Sequence, residues 1–236
     1  YFVESNLSYD EKNRISQIKS HIVADGTHDV IENFSYQNGL ILYEIEYNGA
    51  THKQELFLNK QGLIDKFAYT WMEDSHSFEY ENNYLIKQNY YDSGYIDYFK
   101  YKYMDGNLAY YISGSESWFS EDVFHVTYTE NENKLGISPM LLTDDYRTLF
   151  IYHPFEEDLE DFYLYNGFFC FYEGLFGKPS KNLEQSVTEG GESISFEYKF
   201  DKDDYPIEIT SKYFDDGEYI PDDEESFTVN IEYWED

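Results

Sequence analysis

One phrase recurs along this chain and limits what it can fold into: two aromatics in alternation, a short turn rich in Asn, Asp and Gly, and then an aliphatic strand. It reads Phe34-Ser35-Tyr36-Gln37-Asn38-Gly39-Leu40-Ile41, then Phe78-Glu79-Tyr80-Glu81-Asn82-Asn83-Tyr84-Leu85, then Tyr101-Lys102-Tyr103-Met104-Asp105-Gly106-Asn107-Leu108. Looser copies run through Leu56–Leu63, Val126–Leu135 and Phe196–Asp201. Strand side chains alternate between faces, and Asn and Gly accept the positive φ of a tight hairpin, so each phrase encodes one hairpin. The expected fold is all-β: an antiparallel up-and-down meander of hairpin repeats forming a strongly curved sheet or barrel.

The spacing supports this reading. The last strand residues before the turns, Tyr9, Tyr36, Leu58, Tyr80, Tyr103 and Tyr128, follow one another at 27, 22, 22, 23 and 25 residues. Two strands of roughly 6 to 8 residues and two short turns fill such a step. The next copy ends at Phe200, 72 residues on, so something else lies between. Turns are expected at Asp10 to Asn13, Asp25 to His28, Asn38-Gly39, Asn48-Gly49, Gln61-Gly62, Asn82-Asn83, Ser93-Gly94 and Asp105-Gly106. The chain therefore reads as a single β-repeat domain over 1–236. A hairpin array spans 6–135, an irregular or short-helical insertion of about 138–183 acts as plug or cap, and closing strands lie within 193–234. About 45 residues rarely bury a core of their own. The insertion is thus expected to lay Phe150, Phe162, Phe168, Phe169 and Phe176 against the concave face of the sheet.

Aromatic residues make up 21% of the 236, so rings are expected to build the core. The 16 basic residues face 48 acidic ones, a formal net charge of −32. Such a field repels phosphate backbones and anionic membrane surfaces, which argues against nucleic acid as a partner and leaves cations and neutral glycans acceptable. Cys170 is the only cysteine, so no intramolecular disulfide and no cysteine-based metal cluster can form. Membrane barrels also alternate, but their strands need roughly 9 to 11 residues and gather rings into interfacial girdles. Here the runs are mostly shorter and the rings stand mid-strand beside Glu and Lys, so no membrane span is expected.

Two segments carry a resemblance to known families. Tyr9-Asp10-Glu11-Lys12-Asn13-Arg14-Ile15 resembles the YD repeat of secreted bacterial proteins, with Asn13 where Gly is usual. Leu175-Phe176-Gly177-Lys178-Pro179-Ser180-Lys181-Asn182-Leu183, followed by Ser186-Val187-Thr188 and then Phe196 to Pro206, resembles the Bacteroidota family known as domain of unknown function 4595, described as having a porin-like fold. The resemblance covers most of the chain. It implies an exported protein, periplasmic or attached to the outer membrane at the cell surface, often a lipoprotein whose anchor would lie upstream of Tyr1. It carries over no catalytic residues.

Candidate chemistry is sparse. His21, His28, His52, His76, His125 and His153 show no metal-ligand spacing, and no metal site is assigned to them. Asp201, Asp203 and Asp204 could offer oxygen ligands to Ca²⁺, as could Asp215, Asp216, Asp222 and Asp223, but turn formation accounts for them without a metal. Gly177-Lys178-Pro179-Ser180-Lys181 lacks the spaced first Gly and the Lys-Ser/Thr ending of a phosphate loop, and reads as a loop. Ser113, Ser115 and Ser117 do not form a nucleophile elbow. Among 48 acids no spacing singles out an acid and a base for a hydrolase. Trp118, Trp71 and Trp234 are the candidate ligand-binding rings, because an exposed indole can stack on the apolar face of a sugar. The expected protein is therefore a noncatalytic exported binding or scaffolding domain, monomeric and without cofactor, whose ligand is a glycan, a protein or an apolar small molecule. A carrier enclosing an apolar ligand in the curved sheet is the alternative, and a carboxylate hydrolase stands behind both.

Overall fold

The turn chemistry read from the sequence is what organises the molecule. A computed structural model describes residues 2–23, 27–47, 49–69, 75–92, 94–116, 121–138, 174–221, 226 and 228–232. The described secondary structure is β1 (Phe2–Tyr9), β2 (Ile15–Val23), β3 (Thr27–Gln37), β4 (Leu40–Tyr47), β5 (Ala50–Leu58), β6 (Ile64–Tyr69), β7 (Ser75–Glu81), β8 (Tyr84–Asp92), β9 (Tyr95–Met104), β10 (Asn107–Ser115), β11 (Glu121–Glu132), β12 (Asn182–Glu189), β13 (Glu192–Phe200), β14 (Pro206–Asp215), β15 (Glu218–Tyr219) and β16 (Thr228–Asn230). The hydrogen-bonded order follows the sequence from β1 to β15, with β16 pairing β14. This is the all-β antiparallel meander that the repeated phrase predicts, and the described residues contain no helix.

Two kinds of turn join the strands. In the two-residue kind at least one central residue takes positive φ, Gly39 and Gly190 in their turns and both residues at Asn82 (53°) and Asn83 (65°), which side-chain amides tolerate better than most residues. The second kind spans five residues and recurs three times. Asp10, Asn59 and Asp201 each pair their backbone N–H with the carbonyl four residues on, in Arg14, Leu63 and Tyr205. Each also turns a side-chain oxygen inward to accept two N–H groups. Asp10 Oδ1 takes those of Lys12 and Arg14, Asn59 Oδ1 those of Gln61 and Leu63, and Asp201 Oδ1 those of Asp203 and Tyr205. The fourth residue has positive φ each time: Asn13, Gly62 and Asp204. A register shift falls where each loop leaves its strand, at Ser8/Tyr9, Phe57/Leu58 and Lys199/Phe200. In the first copy Arg14 also donates to Asp10 Oδ2, lies 3.7 Å from the centre of the Tyr36 ring, and holds the Asp10 carboxyl at about 2.

The chain divides into two compact units, Tyr1–Glu79 with Asn89–Ile96, and Tyr80–Gln88 with Asp97–Asp236. In the first, alternation along β4 buries Ile41, Tyr43, Ile45 and Tyr47. Their cross-strand neighbours on β3 and β5 are Val30, Phe34 and Leu56. Phe34 stacks on Tyr43 at 4.9 Å. Each large apolar side chain removed from water contributes roughly 1.5 to 3 kcal/mol, so this row supplies much of the unit's stability. In the second unit the buried row runs through Tyr101, Leu108, Tyr111, Val126, Val187, Ile194, Phe196 and Ile209, with Tyr111 and Phe124 stacked at 4.6 Å.

The structure corrects two expected boundaries and adds one hairpin. The closing strands begin at Asn182, inside the expected insertion and one strand earlier than 193. A register shift on β11 between Thr127 and Tyr128 sets their partners two residues apart, Ser186 and Glu184, so Leu183 and Glu184 are both buried and the alternation that would mark a strand is lost. The acidic stretch after Asp215 opens with a hairpin, Asp216-Gly217 leading into β15, because both residues accept positive φ. β3 begins at Thr27, so His28 belongs to a strand and not to the turn before it. The expected plug or cap falls mostly on 139–173, outside the described residues.

Glu32 is the unusual member of the first core. It is fully buried on β3 between Ile18 and Ile45, and Tyr43 donates a 2.5 Å hydrogen bond to its Oε1 while Oε2 has no hydrogen-bond partner among the described residues. Burial raises its carboxyl from 4.5 to about 7, with the Tyr43 bond pulling the other way. In the unfolded chain the group ionises near 4.5, so the unfolded state loses its proton first as pH rises. Stability is therefore expected to fall between about pH 4.5 and pH 7 by ~3 kcal/mol and to level off above. Urea unfolding across this range should show that slope in the native chain and not in Glu32→Gln, which keeps the shape and removes the proton.

Candidate functional site

The segment Gly174 to Lys181 carries no strand, and its residues explain why. Gly174 and Gly177 both have positive φ, Pro179 has no N–H to give a ladder, and the segment crosses the turns at Asn83 and Gly106 and the end of β11 as a strap. The N–H of Lys178 donates to the Asn83 carbonyl at 2.7 Å, and that of Lys181 to the Gly106 carbonyl at 3.0 Å. Asn133 donates its N–H to the Lys181 carbonyl and its side-chain amide to Ser180 and Ile137 carbonyls. Ser180 Oγ accepts the Leu108 N–H and bonds the Tyr128 hydroxyl at 2.9 Å. Asn107 and Asn182 complete the seam, exchanging bonds of 3.1 and 2.9 Å.

Beneath the strap lies a cavity of about 30 Å³ lined by Tyr103, Ser138, Lys178, Ser180, Glu184 and apolar walls that include Leu108 and Phe176. Glu184 is 2% exposed and stands opposite Tyr128 in the β11–β12 ladder. Its Oε1 accepts a 2.5 Å bond from Ser138 Oγ, and its backbone carbonyl accepts the Tyr198 hydroxyl at 2.6 Å. Burial first, and the Glu184 charge second, hold the hydroxyls of Tyr103, Tyr128 and Tyr198 well above the ordinary phenol range, so they are protonated donors at any physiological pH. The Lys178 ammonium lies 5.2 Å over the ring of Tyr84, which in turn packs at 4.5 Å against Tyr103. The arrangement orients hydrogen bonds around one buried carboxylate. Among the described residues the cavity lining holds no second carboxylate.

Crystal structures of two proteins share this architecture. A porin-like protein from Bacteroides uniformis superposes with a TM-score of 0.66 at 15% identity, covering 96% of this chain and 88% of its own. A porin-like protein from Bacteroides vulgatus gives 0.51 at 12% identity, over 96% and 94%. The fold is porin-like. No protein-family model matches the chain, and no curated protein matches it. The likenesses to domain of unknown function 4595 and to YD repeats thus rest on the residues quoted above. Among the described residues no helix is long and apolar enough to cross a membrane, a statement about helices and not about strands.

Within this porin-like fold the expected site residues separate. Trp71, Trp118 and Trp234 lie outside the described residues, as do Cys170 and His153. Asp201 is engaged by its own turn, with Asp203 and Asp204 inside that turn. Among the described residues no three His, Cys, Asp or Glu side chains gather in a way that could hold a metal. The histidines are dispersed: His21 pairs with Asp29, and buried His76 stacks on Tyr90 with its pKa lowered to about 3 by desolvation. Sequence reasoning missed Glu184 and Tyr103. The available signal was a lone acid between Leu183 and Val187 in a stretch that the loop reading did not treat as strand.

Gly177 is the position on which the strap turns. A Cβ added there would stand 2.3 Å from the Asn83 carbonyl oxygen, and its φ is +89°. Gly177→Ala is expected to cost about 2 kcal/mol or more through combined clash and backbone strain. Chemical denaturation measures that loss, and an unchanged midpoint would show that the strap does not hold this contact.

Proposed function

We infer that the chain is a noncatalytic binding or scaffolding domain, exported to the periplasm or the outer-membrane surface. The observation that carries this reading is how the strapped site uses its polar side chains. Asn107, Asn133, Ser180 and Asn182 spend their hydrogen bonds joining turns and strand ends, and among the described residues the cavity they frame is lined by one carboxylate, Glu184. Glycoside hydrolysis by carboxylates needs two, roughly 5 to 10 Å apart across a cleft. The cavity's 30 Å³, and the open hollow of about 210 Å³ over Asp29, Ile31, Glu46 and Thr51, both fall below the roughly 300 to 1,000 Å³ of small-molecule pockets. Those sizes favour recognition at a surface over enclosure of a ligand. The two porin-like neighbours from Bacteroides support an envelope location.

A panel of neutral and cationic glycans and of envelope proteins tests the reading, with binding read by calorimetry and turnover by product release. At least one saturable partner is expected, with no turnover of any glycan. Turnover that Glu184→Gln abolishes would establish a carboxylate enzyme in its place.

A further inference from the structure

The cavity under the strap makes a specific chemical demand. Its volume of about 30 Å³ exceeds the roughly 10 to 15 Å³ that a water needs, so it admits a group the size of a water or a hydroxyl. Ser138 and Ser180 on its lining are engaged in bonds of the seam, and three further lining residues carry polar groups that ask for different things. The Glu184 carboxylate accepts hydrogen bonds, and one oxygen already takes that of Ser138. The Tyr103 hydroxyl, held protonated, makes no hydrogen bond among the described residues. The Lys178 ammonium meets the Tyr84 ring and forms no ion pair among those residues.

Each class of guest can be weighed against that set. A cation entering the cavity meets Lys178. An anion meets Glu184. An apolar group strips water from the Tyr103 hydroxyl and the carboxylate and returns no hydrogen bond, which is costly for both. A neutral hydroxyl answers all three, donating its hydrogen to Glu184 and accepting one from Tyr103 or Lys178. We propose that this cavity is a binding site for a single neutral hydroxyl group, supplied by water or by a protruding hydroxyl of an alcohol or neutral sugar. The sugar source deepens the binding role inferred above and rests on it, whereas the water source stands without it.

High-resolution crystals of the full chain, grown without alcohols and then soaked in ethylene glycol or galactose, test the site directly. One ordered oxygen is expected at roughly 2.6 to 3.2 Å from both the Tyr103 hydroxyl and the Glu184 carboxylate. Density continuing into a carbon after soaking identifies the alcohol or sugar source. The Leu108 and Lys181 amides should then shift saturably in an NMR titration, and Tyr103→Phe should weaken affinity about tenfold by removing one donor. An isolated oxygen that soaking leaves unchanged identifies water, and its occupancy should drop in Tyr103→Phe, a variant that keeps the ring and is checked for folding by circular dichroism. An empty cavity, a peak with the short multiple oxygen contacts of a metal ion, or a site that Tyr103→Phe leaves unchanged would each overturn the proposal. Failure of the wider ligand panel with the oxygen still in place would count against the binding role alone.

Discussion

The fold depends on one recurring exchange: the backbone of each strand is satisfied by its neighbour in sequence, and the chain reverses fast enough for that neighbour to be the next strand. Antiparallel ladders in sequence order, from β1 through β15, need a reversal every few residues, and each reversal needs a residue that accepts positive φ. Asn, Asp and Gly supply it at the described turns. The five-residue loops at Asp10, Asn59 and Asp201 go further, because a side-chain oxygen also satisfies N–H groups that the turn would otherwise leave unpaired. The many acids of this chain therefore include some whose purpose is local and structural. Their abundance says little about ligands.

A meander of this kind buries its rings easily and its polar groups with difficulty. Both units place a carboxylic acid among apolar side chains, and each handles it differently. Glu32 sits with one oxygen bonded to Tyr43 and the other without a hydrogen-bond partner among the described residues, a setting in which burial favours the neutral acid. Glu184 receives the hydroxyl of Ser138, and its charge adds to the burial that already raises the pKa of three neighbouring tyrosines. The first arrangement makes stability depend on pH. The second concentrates hydrogen-bonding capacity in a small space.

That space exists because of the strap. Its chain direction follows no ladder, and its bonds run to turn residues that are far apart in sequence, Asn83, Gly106 and Asn133. Two-residue turns are usually the least constrained part of a sheet. Here their carbonyls become fixed acceptors, and a glycine at 177 allows the approach. A surface that would otherwise be a row of hairpin tips becomes a walled site.

How much of this was legible in the sequence follows from the range of the interactions concerned. Alternation and turn chemistry act within about ten residues, so the hairpins at Asn38-Gly39, Asn82-Asn83 and Asp105-Gly106, the all-β class and the order of strands could be read directly. β12 could not, since the register shift opposite Glu184 is imposed by pairing with Tyr128 on a strand more than fifty residues earlier. The site was equally out of reach. Gly177-Lys178-Pro179-Ser180-Lys181 reads as a loop by itself, and it is one; its partners at Asn83, Gly106 and Leu108 are chosen by three-dimensional proximity. Nor does anything local distinguish Glu184 from 47 other acids until its neighbours across the ladder are in place. The sequence by itself determined where the chain turns and which face of each strand is apolar, because both are properties of adjacent residues. The tertiary structure alone decided which acid is buried and which hydroxyls surround it, because burial and charge act through space.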